Sequence, residues 1–168
     1  MVDYARNTHA LVKAEKFCLK ELIDDVVSEV SFWPEAAKIN YLNQVPDDVT
    51  IMSDKARIKI VLLNLVTNGI KYSDRNKETS WLRFECKSIE NDCQLTVTDN
   101  GIGIRKEYLD KIFKMYFRAT ETSKGSGLGL FIVSEVIDKI GGNINVESEF
   151  GKQTKFEVLI PNKMINNA

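Results

Sequence analysis

Cys93-Gln94-Leu95-Thr96-Val97-Thr98-Asp99-Asn100-Gly101-Ile102-Gly103 is the stretch on which the fold turns. Its first residues alternate with the period of a strand: Cys93, Leu95 and Val97 share one face, and Gln94, Thr96 and Thr98 share the other. The same period puts Asp99 on the apolar face. An unpaired carboxylate there costs several kcal/mol or takes up a proton. It asks for a partner, and an exocyclic amine such as adenine N6 is one that donates a hydrogen bond. Gly101 and Gly103 follow at once, and without Cβ atoms they let a planar ligand approach the backbone. A strand-end aspartate capping a turn would give the same pattern, so this stretch does not decide the ligand by itself.

Working outward, Trp81–Ile89 reads as the other strand of a hairpin that turns around Glu90-Asn91-Asp92. Towards the C-terminus, Asn143–Glu149 and Thr154–Ile160 read as strands about a turn at Phe150-Gly151-Lys152. Thr154 precedes Phe156, Val158 and Ile160 by the strand period, so its hydroxyl is expected to point inward. Glu107–Met115 is a short amphipathic piece, and a helix is expected over Leu128–Ile140, ended by Gly141-Gly142. Upstream, Lys20–Lys38 carries a helical pattern that Trp33-Pro34 bends or interrupts. Asn40–Asn43 and Val49–Met52 are short strand candidates. Residues 1–14 are polar and helix-compatible, and read as a linker or the end of an upstream dimerisation helix, with one domain over 15–168. The expected fold class is α+β, helices packed on one face of a mixed, largely antiparallel sheet.

A long helix runs from an N-cap at Ser53 or Asp54 through Tyr72. Ile58, Leu62, Leu65, Val66 and Gly69 form its apolar face. Asn64, Asn68, Lys71 and Tyr72 fall on one opposite stripe, because offsets of four, seven and eight residues return to the same side. Two mid-helix asparagines are not there for helix propensity. Carboxamide oxygens can ligate a hard cation, and a lysine one turn on can neutralise phosphate. A solvated polar face is the plain alternative.

Gly125-Ser126-Gly127-Leu128-Gly129-Leu130 leads into the apolar helix. A glycine-rich entry leaves backbone N–H groups free at the positive end of the helix dipole, which is chemistry for an anion. The spacing is neither that of a Walker A loop nor that of a dinucleotide fingerprint. A flexible loop before a helix is again the plain alternative. Lys111, Lys114, Arg118 and Lys124 flank this segment and suit a basic lid.

Composition closes off other classes. With 168 residues, 43% hydrophobic and 28% charged, the chain suits one domain with a real core. A formal net charge of −1 gives no basic field for nucleic acid. No run approaches a spanning length and no signal peptide is visible, so no membrane contact by this fragment and a cytoplasmic setting are expected, although a longer parent could be membrane-anchored. Cys18, Cys86 and Cys93 lack metal-ligand spacing and fit reduced, buried thiols.

Taken in order, four segments resemble the GHKL ATPase superfamily, and specifically the catalytic domain of sensor histidine kinases. Asn64-Leu-Val-Thr-Asn68-Gly-Ile-Lys71-Tyr72 is similar to the N box, and Asp99-Asn-Gly101-Ile-Gly103-Ile104 to the G1 box. Ile112-Phe113-Lys-Met-Tyr-Phe117-Arg118 resembles the F box, and Gly125-Ser-Gly127-Leu128-Gly129-Leu130 the G2 box. The resemblance covers roughly 17–161.

The resemblance implies a sheet of about five strands under three helices, with ATP and Mg²⁺ as cofactors. It implies that Asn68, with Asn64, holds Mg²⁺, that Lys71 contacts phosphate, and that Tyr72 packs near adenine. Asp99 would read adenine N6 with Thr154 beside it. Gly127 and Gly129 would cradle phosphates, while Phe113 and Phe117 would belong to the lid. The implied function is to position Mg-ATP for transfer to a histidine on a separate dimerisation domain, with a response regulator receiver domain downstream. The alternatives are an anti-sigma-type serine kinase, or a nucleotide-binding module without kinase activity.

Two departures stand out. Gly69 replaces a usual Ala, and Gly151-Lys-Gln153-Thr154 lacks a second glycine. His9 is the only histidine. It lacks an acidic neighbour and a complete hairpin, so it is expected to be a solvated helix residue. The chain alone is expected to bind ATP as a monomer without completing autophosphorylation.

Overall fold

The computed structural model describes residues 11–119 and 125–162. His9, Lys124 and most of the 1–14 segment lie outside the described residues.

Alternating and helical periods sort the chain into two layers. In chain order these are β1 (Glu15–Cys18), α1 (Leu19–Val30), β2 (Ile39–Asn43), β3 (Thr50–Ser53), α2 (Lys55–Lys71), β4 (Ser80–Ile89), β5 (Asp92–Asp99), α3 (Gly129–Ile140), β6 (Asn143–Glu149) and β7 (Gln153–Ile160). Five strands form one sheet in the order β2-β4-β5-β7-β6, and β1 pairs with β3 in a separate two-stranded ribbon. The β2–β4 pair is parallel and the other neighbours are antiparallel. The expected α+β architecture, three helices on a mixed five-stranded sheet, is what forms.

Registers line up side chains in rows across the sheet. Phe84, Val97 and Phe156 make one apolar row, and Cys86, Leu95, Val158 and Ile144 another. These rows meet the buried faces of α1 (Leu19, Leu22, Ile23, Val26, Val30) and α3 (Val133, Val136, Ile137, Ile140). On α2, the expected apolar stripe is buried along its length, from Ile58 through Leu62, Leu65 and Val66 to Gly69. α2 packs between the other two helices, against α1 on one side and α3 on the other.

Several local expectations need adjustment. α1 ends at Val30, before Trp33-Pro34, and the helical pattern resumes only as a 3₁₀ turn at Ala36–Lys38. Glu107–Met115 is not an α-helix: a 3₁₀ turn at Lys106–Tyr108 passes into successive turns. β1 was not expected, being four residues with no run long enough to show a period. Cys18 and Cys86 are only half-buried; Cys86 and Cys93 have their Sγ atoms 2.8 Å apart.

Gly69 has a packing reason. A Cβ there would lie 2.8 Å from Leu82 Cδ1, so the bare backbone lets α2 settle onto β4. At the C-terminal turn, Gly151 alone takes the left-handed conformation, with φ of 81°, so no second glycine is required.

The start of α2 is fixed by a buried ion pair. Asp54 caps the helix by accepting from Arg57 N at 3.0 Å, accepts from Lys13 N at 3.0 Å, and pairs with the Arg57 guanidinium. Both residues are buried. Burial alone would raise the Asp54 carboxyl, but the two N–H donors and the guanidinium outweigh it and hold it below its ordinary value. A lowered carboxylate contributes stability that is complete above about pH 4 and drains away as pH falls through its folded value. Asp54→Ala removes both cap and counter-ion, and thermal melts at pH 7 should show a loss of about 3–5 kcal/mol. Asp54→Asn, which keeps a cap oxygen, should lose less.

Candidate functional site

The end of β5 sets one half of the site. Leu82, Asp99, Thr154 and Ser148 form the last row across four strands. Asp99 therefore continues the buried face of Cys93, Leu95 and Val97, as its period required. Gly101 N donates to Asp99 Oδ1 at 2.8 Å, and no other hydrogen bond reaches this carboxylate among the described residues. Burial pushes Asp99 up to about 6, against opposing contributions from the Gly101 N–H and the Lys77 charge. Thr154 is buried beside it, with Oγ1 3.0 Å from Ser148 Oγ.

Glycines then bring backbone close. A Cβ on Gly101 would lie 2.4 Å from the Tyr72 carbonyl oxygen and 2.7 Å from Asp99 Oδ1. Ile102 N donates to that same Tyr72 carbonyl at 3.0 Å, tying the loop to the end of α2. Gly103 has φ of 68° and presses on the Glu149 carbonyl, where any Cβ would sit 2.2 Å away. Ile104 N donates to Ser148 Oγ at 2.8 Å.

The second half lies along α2. Asn64 and Asn68 are half-buried, not fully solvated, because the first turn of α3 rests on them. A Cβ on Gly129 would meet Asn64 Oδ1 at 3.1 Å and the Asn68 carboxamide at 3.9 Å. Asn64 Nδ2 donates to the Ile60 carbonyl at 2.8 Å, and Oδ1 is the atom turned towards Gly129. One turn further on, Lys71 Nζ approaches Gly125, 2.5 Å from where a Cβ would be, and sits 4.7 Å from the Tyr72 ring centroid. The glycine loop thus runs alongside the Asn64–Asn68–Lys71 stripe. Leu128 supplies no side-chain cap to α3, so the N–H groups of its first turn stay available to a ligand. Leu130 packs partly against the core.

The segment between the halves is anchored from beneath. Phe113 meets Phe156 of β7 edge-on at 6.5 Å, and Phe117 lies 5.8 Å from Tyr108. Gly127, with φ of 71°, fits against the Tyr116–Phe117 backbone, leaving no room for a Cβ. Arg118 is exposed.

Among the described residues, no group of three or more His, Cys, Asp or Glu could hold a metal ion. A cation here would have to be met by carboxamide oxygens, and Asn64 Oδ1 and the Asn68 side chain fit that demand. No helix among the described residues is long and apolar enough to cross a membrane. Lys77 and Ser148 join this site without any sequence signal, because the bonds that tie them to the Asp99 turn reach far along the chain.

Keeping an ionisable acid at the end of β5 costs stability. Asp99 titrates near 6 against an ordinary 3.8, so the folded state binds more protons between those values. The penalty is complete above about pH 6 and relieved below about 4. Asp99→Asn should therefore stabilise the unliganded protein by about 2–3 kcal/mol at pH 8. In thermal melts that gain should shrink steadily towards pH 4.

The family described as "Histidine kinase-, DNA gyrase B-, and HSP90-like ATPase" matches residues 53–164. The autoinducer 2 sensor kinase/phosphatase LuxQ of Vibrio cholerae is 31% identical over 98% of this chain and 20% of its own length. A nucleotide-free structure of the catalytic domain of histidine kinase ThkA superposes with a TM-score of 0.75 at 30% identity, covering 89% of this chain and 98% of that one. ThkA has also been solved in complex with the response regulator protein TrrA; that structure aligns with a TM-score of 0.73 at 26% identity, over 90% of this chain and 42% of the other. The chain spans between 15% and 29% of the length of the curated relatives it matches. With the four segments converging on one cleft, the chain belongs to the family of histidine kinase-, DNA gyrase B- and HSP90-like ATPases, and within it to the catalytic ATPase modules of histidine kinases.

Proposed function

We propose that this module holds Mg-ATP so that a histidine on a separate dimerisation domain attacks the γ-phosphate, and that a response regulator receiver domain accepts the phosphoryl group afterwards. The carrying observation is the convergence of two unlike half-sites, a half-buried acceptor at Asp99 and an anion-suited loop laid along Asn64, Asn68 and Lys71. The kinship with ThkA, a kinase solved with its response regulator, supports the downstream partner. Residues 11–14 carry no helix, so the lead-in over 1–14 fits a linker from an upstream dimerisation domain, and the module fits the cytoplasm, where ATP is made.

Each residue has a part in the proposal. Asp99 accepts from adenine N6 with Thr154 beside it, while Gly101, Gly103 and Ile104 bring backbone alongside the base and Tyr72 packs near it. Gly125, Gly127, Leu128, Gly129 and Leu130 present N–H groups to the phosphates, and Lys71 neutralises them. Asn68, with Asn64, would hold Mg²⁺, which supplies charge neutralisation across the phosphates when bound. Phe113, Phe117 and Arg118 close over the nucleotide. The chain's share of catalysis is positioning and electrostatics.

A glutamate base, which water-activating ATPases need, has no counterpart at Asn64, since an amide cannot take a proton. The relatives described are histidine kinases, so the serine-kinase reading has no observation in its favour.

Mixed with its histidine-bearing hairpin and Mg-ATP, the module should yield acid-labile phosphohistidine. Asn68→Ala should cut transfer about a hundredfold or more while melting normally. Asp99→Asn should weaken ADP binding by roughly a hundredfold, since it sets an amide donor against the N6 donor. No phosphohistidine despite tight ATP binding would sink the kinase reading in favour of a nucleotide sensor. Acid-stable phosphoserine on a separate protein would point to the alternative kinase.

A further inference from the structure

Lys77 lies in the loop between α2 and β4, outside all four motifs. Its Nζ donates to three backbone carbonyls: Asn100 at 2.6 Å, Gly101 at 3.2 Å and Lys152 at 2.7 Å. An ammonium has three protons, so its donor capacity is spent on backbone. Two of these carbonyls belong to the turn that follows Asp99. The third sits in the β6–β7 turn, two residues before Thr154. A lysine side chain gives up rotamer freedom when fixed, so this clamp needs compensating interactions.

One peptide plane carries the argument. The Asn100 carbonyl and the Gly101 N–H belong to the same peptide unit, and in a trans peptide they point opposite ways. Lys77 holds the oxygen side at 2.6 Å, while the N–H side donates to Asp99 Oδ1 at 2.8 Å. A cation on the carbonyl polarises the amide and strengthens the bond its N–H makes. Lys77 therefore reaches Asp99 through the backbone, and at the same time ties in the turn that carries Thr154.

We propose that Lys77 is a positioning residue for base selectivity: through the Asn100–Gly101 peptide it fixes Asp99 as an oriented acceptor, so that the cleft takes a 6-amino purine and refuses a 6-oxo purine. This rests on the assignment of Asp99 to adenine. A 6-oxo group would set a second acceptor against the carboxylate, and two acceptors cannot share a proton neither carries. The positive charge of Lys77 also opposes the burial that pushes Asp99 towards its neutral form, in which it could donate.

Calorimetric titration with ADP and IDP, which differ at purine position 6, tests this. Lys77→Met keeps the aliphatic stem and removes the charge. It should weaken ADP about tenfold and IDP by less than about twofold, narrowing the selectivity ratio while the melting temperature stays near wild type. Lys77→Arg, which keeps a cation, should restore most of the ADP affinity. Lys77→Gln gives the same ratio test if the methionine variant folds poorly. Unchanged ADP binding in Lys77→Met, or equal loss for ADP and IDP, overturns the proposal. Asp99→Asn in parallel separates the two ideas. If it weakens ADP and Lys77→Met does not, only the role of Lys77 falls; if it leaves ADP binding intact, the adenine assignment itself falls.

Discussion

A half-buried carboxylate at the end of a central strand is the constraint around which the site is organised. Asp99 stands between Leu82 of β4 and Thr154 of β7, on the face that those strands turn towards the helices. Burial there pushes its pKa to about 6, so the fold must tolerate an acid close to its own neutralisation. What makes it tolerable is local. The chain doubles back through Gly101 to donate one N–H, and Lys77 places a positive charge behind that turn. Neither device is generic: a side chain at Gly101 would collide with the Tyr72 carbonyl, and the turn could not close.

The same closeness couples the two halves of the site. α2 carries the Asn64–Asn68–Lys71 stripe on its flank and offers the Tyr72 carbonyl to Ile102 N at its end. One rigid element thus sets the distance between the loop suited to phosphate and the acceptor suited to a base. Its own position is fixed twice, by the buried Asp54–Arg57 pair at the start and by Gly69 resting on Leu82 near the finish. Leu82 is the neighbour of Asp99 in its row, so the glycine that weakens the helix by up to about 1 kcal/mol also seats it on the strand next to the acid.

Much of this was legible in the sequence, and the reasons differ by element. The β4–β5 hairpin and β7 were readable because their alternation is long and one face is buried, which makes the period unambiguous. α2 and its cap were readable for the same reason at the helical period. β1 was not, since four residues cannot display a period. The segment after Gly103 showed only one short amphipathic piece, and it runs as turns in which Tyr116 takes a φ of 60° where its backbone packs against Gly127. The asparagine stripe was the most ambiguous feature. A polar face looks alike whether water or another element covers it, and only the approach of Gly129 separates the two. Lys77 and Ser148 were invisible for a deeper reason. The carbonyls that Lys77 holds lie 23, 24 and 75 residues away, and Ile104, which donates to Ser148, lies 44 away, so no window of sequence holds these bonds.

The distribution of proton-accepting groups separates transfer from hydrolysis. Asp99 is the one carboxylate of the described cleft whose pKa lies near neutrality, and on that ground alone it would pass for a general base. Its geometry argues otherwise: it sits at the strand end, already accepting from Gly101 N, whereas the glycine loop meets Lys71 and the asparagines. At the other half, Asn64 stands where a base would be useful, with its amide nitrogen bound to Ile60 and no lone-pair proton chemistry to offer. The described side chains beside Gly125 and Gly129 are an ammonium and carboxamides, suited to steadying charge and not to activating water. In the proposed role such a site holds a triphosphate without spending it. The nucleophile and its base then come from another surface, which is the division of labour that a kinase acting on a partner domain requires.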